Sequence, residues 1–329
     1  MSDAWREEYK SKLSTAAEAA ARVKSGDSIF TAGFSAIPFD FTEALAERKD
    51  ELRDVEYYGC LSPYCFRIFD GDFKGHINYT TIFSGGYERL KATEGNINQM
   101  SVHLAECDRF VEERVKPDVL AVNVSPPDKH GWMTFGVCGG MALHKASEIA
   151  KTVIVTVQES HPKVPGEFNS IHVREVDAII ETEVSIPHLP SAEPSEVEQA
   201  IASHVVPLVD DGSTIQIGIG GVPGAVAYKL AGKKDLGIHT EMLTDAMFHL
   251  VKVGAVTGAR KNLNPGKVVY GFAAGSAELM DYLDDNPACL IRPLSETIDA
   301  HQCGLNDNFV SINTCLLVSI TGQVAAEAT

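Results

Sequence analysis

The sequence predicts an α/β protein of two related open domains whose sheets are mostly parallel. Short runs rich in β-branched residues, such as TVIVTV from Thr152, alternate with amphipathic stretches, such as SEVEQAIASHVVPLV from Ser195. This alternation is typical of parallel strands joined by helices. The chain has 329 residues, which exceeds the size at which a single core usually keeps growing. Two domains are therefore expected.

An internal repeat indicates that the two domains are of the same kind. The segment SGDSIFTAGFSAIPFDFTEALAERKD, from Ser25, resembles DDGSTIQIGIGGVPGAVAYKLAGKKD, from Asp210, without gaps. Each copy predicts a turn, a strand, a Gly/Pro loop, a helix and the next strand. Coincidence between two common β-α-β units is the alternative. The matching pairs are Gly33 with Gly218, Pro38 with Pro223, Leu45 with Leu230, Ala46 with Ala231, Lys49 with Lys234 and Asp50 with Asp235.

The best candidate for a linker between the domains is a Pro-rich polar stretch, HLPSAEPSE, at residues 188–196. Clusters of Pro, Ser and charged residues between periodic segments are typical of loops. We therefore expect an N-terminal domain at residues 1–190 and a C-terminal domain at residues 191–329.

Composition narrows the classes of function. The formal net charge of −17 argues against nucleic acid as a partner, because phosphate backbones need clustered Lys and Arg. The start, MSDAWREEYKSKLS, is charged, and no apolar run of about 18 residues occurs. We therefore expect a cytoplasmic protein with no membrane partner. The seven cysteines are scattered without a C-x-x-C pair, which predicts free thiols and no metal site.

The two copies of the repeat differ where a ligand would bind. The second loop carries Gly218, Gly220 and Gly221, and glycine lets backbone N–H groups approach a ligand closely. The strand that follows contains GIHTEM, with Glu241, whereas the first copy has no acid at the comparable end of VEYYGCL. Ligands bind outside the carboxyl ends of strands in open α/β sheets, so these residues are expected to face one crevice. Pro223 falls where the next helix would begin.

One hypothesis for this loop is a dinucleotide site. GIGGVPG begins like the G-x-G-x-x-G fingerprint, and Glu241 lies about twenty residues further on, where a Rossmann-type acid would contact a ribose. Pro223 replaces the third glycine of the fingerprint, which weakens the match. An NAD-dependent oxidoreductase is therefore the alternative from a different enzyme class.

Five separated motifs along the chain support a second hypothesis. They are VNVSPPDKHGWMTFGV, IGIGGVPGAV, KDLGIHTEMLTDAM, NPGKVVYGFAAGSAELMDYLDDNP and NDNFVSINTCLLVSITGQVAAE. Together they resemble the acetyl-CoA hydrolase/transferase family, and within it the 4-hydroxybutyrate and butyrate:acetate CoA-transferases. The resemblance runs along nearly the whole chain. It implies two CoA-transferase-like domains, coenzyme A as a substrate, and neither a metal nor a permanently bound cofactor.

The resemblance also implies candidate site residues. The glutamate of the family's GIH(S/T)EM motif is a covalent nucleophile and corresponds to Glu241. The family's glycine-rich loop lines the acyl-CoA site and corresponds here to Gly218, Gly220, Gly221, Val222 and Pro223. Further candidates for the edge of the acyl pocket are Gly85, Gly86, Asp128, His130, Asn313 and Met242.

Several of these candidates have a structural alternative. Gly85 and Gly86 fit the cap of a strand equally well, and the SPPDKHG stretch around Asp128 has the composition of a turn. Met242 also fits a core position. His239 is expected to be structural, because alternation along the strand puts it on the face of Glu241 but deeper.

The activity implied by the resemblance is transfer of coenzyme A between an acyl-CoA and a carboxylic acid such as acetate. Butyryl-, 4-hydroxybutyryl- and acetyl-CoA are the expected donors. Exchange of one thioester for another is nearly balanced, so an enzyme carboxylate can act as the relay through a glutamyl-CoA thioester, with ping-pong kinetics. Acyl-CoA hydrolysis through the same intermediate is the close alternative. A homo-oligomer is expected for the family.

Family members continue beyond the segment that corresponds to GQVAAEAT, through another glycine-rich segment. We therefore expect the second domain to lack its C-terminal part. The explanations are a separate chain that supplies the segment, a cut during handling, or a natural short form. If the C-terminal part is absent, a non-catalytic scaffold subunit is the alternative to an active enzyme.

Overall fold

The computed structural model describes residues 4–93, 95–189 and 193–326. The chain forms two compact units. The first runs to Pro187 and includes Leu283–Asn286 and Ile291–Ser295, and the second runs from His188 to Tyr282 and includes Pro287–Leu290 and the chain from Glu296. Residues 190–192 of the predicted linker, and with them the predicted domain boundary, lie outside the described residues.

The regular elements alternate along most of the chain. The α-helices are α1 (Ala4–Lys12), α2 (Ala16–Ala20), α3 (Phe39–Glu47), α4 (Gly86–Lys91), α5 (Cys107–Phe110), α6 (Leu143–Ile149), α7 (Glu196–Val205), α8 (Gly221–Lys229), α9 (Asp245–Lys252), α10 (Ala277–Leu283), α11 (Leu294–Thr297) and α12 (Ala300–Gly304). The strands are β1 (Ser28–Gly33), β2 (Val55–Cys60), β3 (Ile77–Thr81), β4 (Ile97–Gln99), β5 (Val119–Val124), β6 (Trp132–Thr134), β7 (Thr152–Gln158), β8 (Ser170–His172), β9 (Ala178–Thr182), β10 (Thr214–Ile217), β11 (Gly237–Leu243), β12 (Val268–Ala273), β13 (Cys289–Ile291), β14 (Phe309–Ile312), β15 (Leu317–Val318) and β16 (Val324–Ala325).

The first unit is built on a sheet of parallel strands. Its order within the described residues is β4-β3-β2-β1-β5-β7-β9. Every residue of β5 is buried, as expected for a parallel strand covered on both faces. β7 is the strand predicted from TVIVTV. The strand order reverses between β1 and β5, which is where a ligand crevice is expected in such a sheet.

The second unit repeats this plan on a smaller scale. The order of its sheet within the described residues is β13-β12-β11-β10-β14, and β10 pairs in parallel with both β11 and β14. The chain moves outward from β10 through β11 to β13 and then returns to the other side of β10. The order therefore reverses between β10 and β14, and the carboxyl ends of these strands border the expected crevice.

β10 and β11 each present two different faces. Residues alternate between the faces of a strand, and in-register residues of parallel strands share a face. One face is apolar and buried, and we call it the apolar face; it carries Ile215, Ile217, Ile238 and Met242. The opposite face, the polar face, carries Gln216, Gly218, His239 and Glu241.

Both copies of the predicted repeat fold as β-α-β units with parallel strands. The first is β1-α3-β2 and the second is β10-α8-β11. The predicted fold class is confirmed. The copies differ in the loop, because the first forms a 3₁₀ turn at Phe34–Ala36 whereas the second passes directly into α8. Among the helices in the described part of the chain, none is both long enough and apolar enough to cross a bilayer.

Candidate active site

The loop after β10 leads into α8 within three residues. Gly220 has a φ of +121°, which residues with a side chain rarely adopt, so this position requires glycine. α8 begins at Gly221, and Pro223 is buried in its first turn, where a missing N–H costs nothing. The N–H groups of Gly221 and Val222 therefore have no carbonyl partner within the helix.

A carboxylate of the same unit lies at the start of α8. A Cβ atom at position 221 would come within 1.7 Å of Oε1 of Glu198, so the carboxylate of Glu198 lies directly against Gly221. Glu198 forms a capping box with Ser195, whose hydrogen bonds lower the pKa of the glutamate. An anionic substrate at Gly221 would therefore share the positive end of α8 with an ionised side chain.

Glu241 lies on the polar face of β11 between two glycines. The register of β11 with β12 places Gly271 level with Glu241. The register of β10 with β11, continued from the pair Ile215 and Ile238, brings Gly218 level with Glu241 on the other side. Neighbouring strands are about 4.8 Å apart. The two residues level with the acid therefore have no side chains of their own.

The environment of Glu241 disfavours its charged form. The side chain is partly buried, and desolvation raises the pKa of its carboxyl group. Within the described residues, no side chain or backbone N–H donates a hydrogen bond to the carboxylate. A carboxylate that is neither fully hydrated nor hydrogen-bonded is a stronger base and nucleophile than an ordinary surface glutamate.

A polar cluster lies beside Glu241 on the same face. Oγ of Ser311 donates to Oε1 of Gln216 at 2.6 Å, and Nδ2 of Asn313 donates to the same oxygen at 3.1 Å and to Oγ of Ser311 at 3.0 Å. Asn313 is the first residue after the end of β14. Its side chain reaches over Gly218, where a Cβ atom would lie 2.8 Å from Oδ1 of Asn313.

Sequence reasoning missed Gln216 and Ser311. A signal was present, since each is a polar residue between apolar neighbours in the short strands TIQI and FVSI. The two strands are in register at these residues. Only knowledge that β10 and β14 are neighbours turns two isolated polar residues into one cluster.

Two buried basic residues lie deeper under the polar face. Nε2 of His239 is 2.8 Å from the backbone oxygen of Thr297, and burial lowers the pKa of the imidazole. Nζ of Lys261 donates to the backbone oxygens of Ile238 and Lys267, each at 2.9 Å. Burial lowers the pKa of this lysine to about 8. Their bonds to backbone oxygens give both side chains a structural role.

A cavity of about 340 Å³ lies against the glycine loop. Four of the predicted residues line it, namely Gly218, Gly220, Gly221 and Met242. Glu241 is the neighbour of Met242 along β11 and points to the opposite face by alternation. Gly218 is therefore level with Glu241 across the two strands and also lines the cavity. The other lining residues are Leu189, Ile219, Gly224, Tyr228, Thr244, Ala246 and Ala274.

The remaining predicted residues lie in the first unit. Gly85 is the N-cap of α4, and a Cβ atom there would come within 2.7 Å of Oε2 of the buried Glu88. Gly86 is the first residue of α4 and faces open space. Oδ1 of Asp128 accepts hydrogen bonds from the backbone N–H groups of His130 and Trp132 at 2.8 and 2.9 Å. The SPPDKHG stretch is thus a turn that follows β5. Gly85 and Gly86 follow β3, and two strands, β2 and β1, lie between β3 and β5.

Two family models match the chain. The first is the acetyl-CoA hydrolase/transferase N-terminal domain, which matches residues 2–190. The second is the acetyl-CoA hydrolase/transferase C-terminal domain, which matches residues 275–329.

Similar proteins of known name are coenzyme A transferases. The chain is 39% identical to the probable butyrate:acetyl-CoA coenzyme A-transferase of Syntrophomonas wolfei, over 98% of this chain and 73% of that protein. It is 33% identical to the 4-hydroxybutyrate coenzyme A transferase of Clostridium kluyveri, over 98% of this chain and 75% of that protein.

Solved structures with the same fold include two of clear sequence similarity. RipA from Yersinia pestis has a TM-score of 0.92 and 31% identity, over 98% of this chain and 78% of RipA. The 4-hydroxybutyrate CoA-transferase of Porphyromonas gingivalis has a TM-score of 0.81 and 30% identity, over 97% of this chain and 77% of that structure.

Proposed function

Since this chain belongs to the acetyl-CoA hydrolase/transferase family, we propose that it moves coenzyme A between a short-chain acyl-CoA and a carboxylic acid. Butyryl-, 4-hydroxybutyryl- and acetyl-CoA are the donors that the names of its relatives favour, with acetate as an acceptor. Glu241 is the proposed nucleophile, and a glutamyl-CoA thioester is the proposed intermediate.

The observation that carries this proposal is the setting of Glu241. Its carboxylate is partly desolvated, has a raised pKa, and receives no hydrogen bond from the described residues. The two residues level with it on the neighbouring strands are Gly218 and Gly271. Neither of these two residues therefore places a side chain of its own beside the acid, and on one side Asn313 reaches over Gly218.

The proposed reaction balances without an oxidant or reductant. An oxygen of Glu241 attacks the acyl-CoA carbonyl carbon and the C–S bond breaks. CoA leaves as thiolate, and an acyl-glutamyl anhydride remains on the enzyme. The thiolate then attacks the glutamyl carbonyl carbon and releases the first acid as its carboxylate. A carboxylate oxygen of the second acid attacks the carbonyl carbon of the resulting glutamyl-CoA, its C–S bond breaks, and CoA leaves again as thiolate. This thiolate attacks the acyl carbon of the new anhydride, which yields the new acyl-CoA and the free carboxylate of Glu241.

Protein groups would assist these steps through position and charge. The N–H groups of Gly221 and Val222 at the start of α8 are candidate donors to developing oxyanions, each of which typically contributes about 3 kcal/mol when well aimed. Binding of the CoA body away from the reacting atoms would press the thioester against a weakly nucleophilic carboxylate. Exclusion of water would protect the anhydride from hydrolysis.

The first test is to trap and map the intermediate. The protein is incubated with butyryl-CoA or acetyl-CoA, reduced with borohydride and digested, and the peptides are weighed. We expect reduction of the Glu241 side chain to an alcohol, and loss of CoA exchange by at least about a thousandfold in Glu241→Ala, since the nucleophile is absent. Glu196→Gln, an exposed acid in the first turn of α7, is the matched control and should behave like the parent chain.

Two outcomes would contradict the proposal. One is undiminished CoA exchange by Glu241→Ala, and the other is a reduced side chain at a different position. Release of CoA thiol at the same rate with and without an acid acceptor would identify a hydrolase. Absorbance of a bound or reduced nicotinamide would support the oxidoreductase alternative.

A further inference from the structure

The cluster of Gln216, Ser311 and Asn313 occupies the switch point of the second unit. Gln216 and Ser311 are opposite each other on β10 and β14, the two strands between which the strand order reverses. Asn313 is the first residue after β14. In open α/β sheets this is the place where ligands bind. The cluster is also exposed to solvent or only partly buried, so a ligand can reach it.

The hydrogen bonds within the cluster leave one donor unused. Both N–H groups of Nδ2 of Asn313 are used, one towards Gln216 and one towards Ser311. The hydroxyl of Ser311 donates to Gln216. Nε2 of Gln216 donates to Oδ1 of Asn313 at 3.3 Å, and an amide nitrogen carries two hydrogens. Among the described residues, the second hydrogen of Gln216 has no acceptor.

The unused donor lies on the same face of the sheet as the proposed nucleophile, on the neighbouring strand. Gln216 is two residues before Gly218 on the polar face of β10, and Gly218 is level with Glu241 on β11. The side chain of Gln216 reaches forward along its strand, since it contacts Asn313, which is level with Gly218 on the other side. Its amide group therefore lies towards the β14 side of β10, and Glu241 is on the neighbouring strand at the other side of β10.

We propose that Gln216 binds the acid substrate by donating its unused amide hydrogen to a carboxyl oxygen, with Ser311 and Asn313 as positioning residues. This inference rests on the proposed function. The acid must approach with its carboxyl group at Glu241, and the two bonds to Oε1 of Gln216 fix the amide plane, which leaves one hydrogen of Nε2 for the substrate. A small acid makes few other contacts, so one hydrogen bond from Gln216 supplies a large share of its binding.

The direct test compares Gln216→Met and Gln216→Glu with the parent chain. The methionine keeps the length of the side chain and removes the donor, so the KM for the acid should rise about tenfold or more, as expected for a hydrogen bond to a charged group. The glutamate places a second negative charge beside the acid and should raise that KM further. The KM for acyl-CoA should change less than threefold, because the CoA body binds elsewhere. Gln199→Met, an exposed glutamine on α7, is the matched control.

A second pair of variants tests the positioning role without touching the donor. Ser311→Ala removes one of the two bonds that hold Gln216 and should raise the KM for the acid about threefold or more. Ser311→Thr keeps the hydroxyl and should restore the parent value. Equal KM values for the acid in Gln216→Met and the parent chain would overturn the inference. Equal effects of Ser311→Ala and Ser311→Thr would overturn the positioning role.

Failure of this inference can be told apart from failure of the proposed function. The borohydride trap reports formation of the glutamyl-CoA thioester before any second acid binds. A parent chain that gives no trapped Glu241 contradicts the proposed function itself. A parent chain that traps normally, beside Gln216 variants with an unchanged KM for the acid, contradicts only the role of Gln216.

Discussion

At the scale of single residues, the candidate site depends on one acid that the fold leaves without hydrogen-bond donors. Ordinary buried carboxylates accept hydrogen bonds that stabilise their charge. Glu241 receives none from the described residues, and burial raises its pKa. By contrast, Glu198 at the start of α8 has a lowered pKa because Ser195 donates to it. The two acids thus differ in their surroundings: hydrogen bonds lower the pKa of Glu198, whereas burial raises the pKa of Glu241.

Replacement of Glu241 by glutamine should stabilise the protein while it abolishes transfer. The pKa of Glu241 is raised above its ordinary value of 4.5 in the folded chain. The unfolded chain therefore loses this proton at a lower pH, and the free energy of unfolding falls as pH rises through the folded pKa. Glutamine does not ionise, so Glu241→Gln escapes this loss.

Thermal unfolding at several pH values checks this prediction. The melting temperature of Glu241→Gln should exceed that of the parent chain at pH 8, and the gap should shrink as the pH approaches 4.5. A gap that is the same at both ends of the range, or that has the opposite sign at pH 8, would contradict it. Glu196→Gln again serves as the control on an exposed acid.

At the scale of elements, the start of α8 combines two glycines with opposite roles. Gly220 lies outside the helix with a positive φ, whereas Gly224 lies inside the helix with nothing within 4 Å of where a Cβ atom would be. Glycine is needed at the first position and is a weak helix former at the second. The glycine before the helix is therefore required by backbone geometry, whereas the glycine inside the helix lowers stability.

Substitution of the two glycines by alanine should change stability in opposite directions. Gly220→Ala forces a side chain into a strained conformation and should lower the free energy of unfolding by about 1–3 kcal/mol. Gly224→Ala should raise it by about 0.5–1 kcal/mol, since alanine loses less backbone entropy in a helix. Urea unfolding of the two variants checks the prediction, and effects of the same sign would show that φ at Gly220 does not govern the loop.

At the scale of the whole molecule, a strongly acidic chain carries an exposed apolar hairpin. The net charge is −17, which favours repulsion between copies. The β15–β16 hairpin nevertheless exposes several large apolar residues, with Ile320 fully accessible to solvent. Exposed apolar residues grouped on a strand pair commonly drive association. The exposed residues are Leu316, Leu317, Val318, Ile320 and Val324.

The double substitution Leu317→Lys and Ile320→Lys should reduce self-association without a change in fold. Lysine on exposed strands blocks edge-to-edge contact, and a surface change of this kind alters stability by about 0.5 kcal/mol or less. Light scattering as a function of concentration should fall, and the melting temperature should stay the same. Val253→Lys, which changes an exposed apolar residue at the end of α9, is the control. Unchanged scattering would show that the hairpin does not mediate the association.

The features that sequence reasoning predicted are those set by neighbours along the chain. Alternation of strands and helices, the β-α-β repeat, the helix start at Pro223 and the acid of GIHTEM all depend on residues within one or two elements of each other. The family resemblance added the proposed role of Glu241 as nucleophile, which spacing alone left open against that of a helix-start acid.

Only the tertiary structure decided which side chains meet. Gln216 and Ser311 are 95 residues apart in the chain, and they are neighbours because β14 returns to the far side of β10. The same strand order sets Gly271 and Gly218 on either side of Glu241. Local propensity cannot specify such contacts, because the register between parallel strands is chosen by the burial of the whole sheet against its helices. The sequence thus determined the fold class and the acid, whereas packing determined the neighbours of the acid.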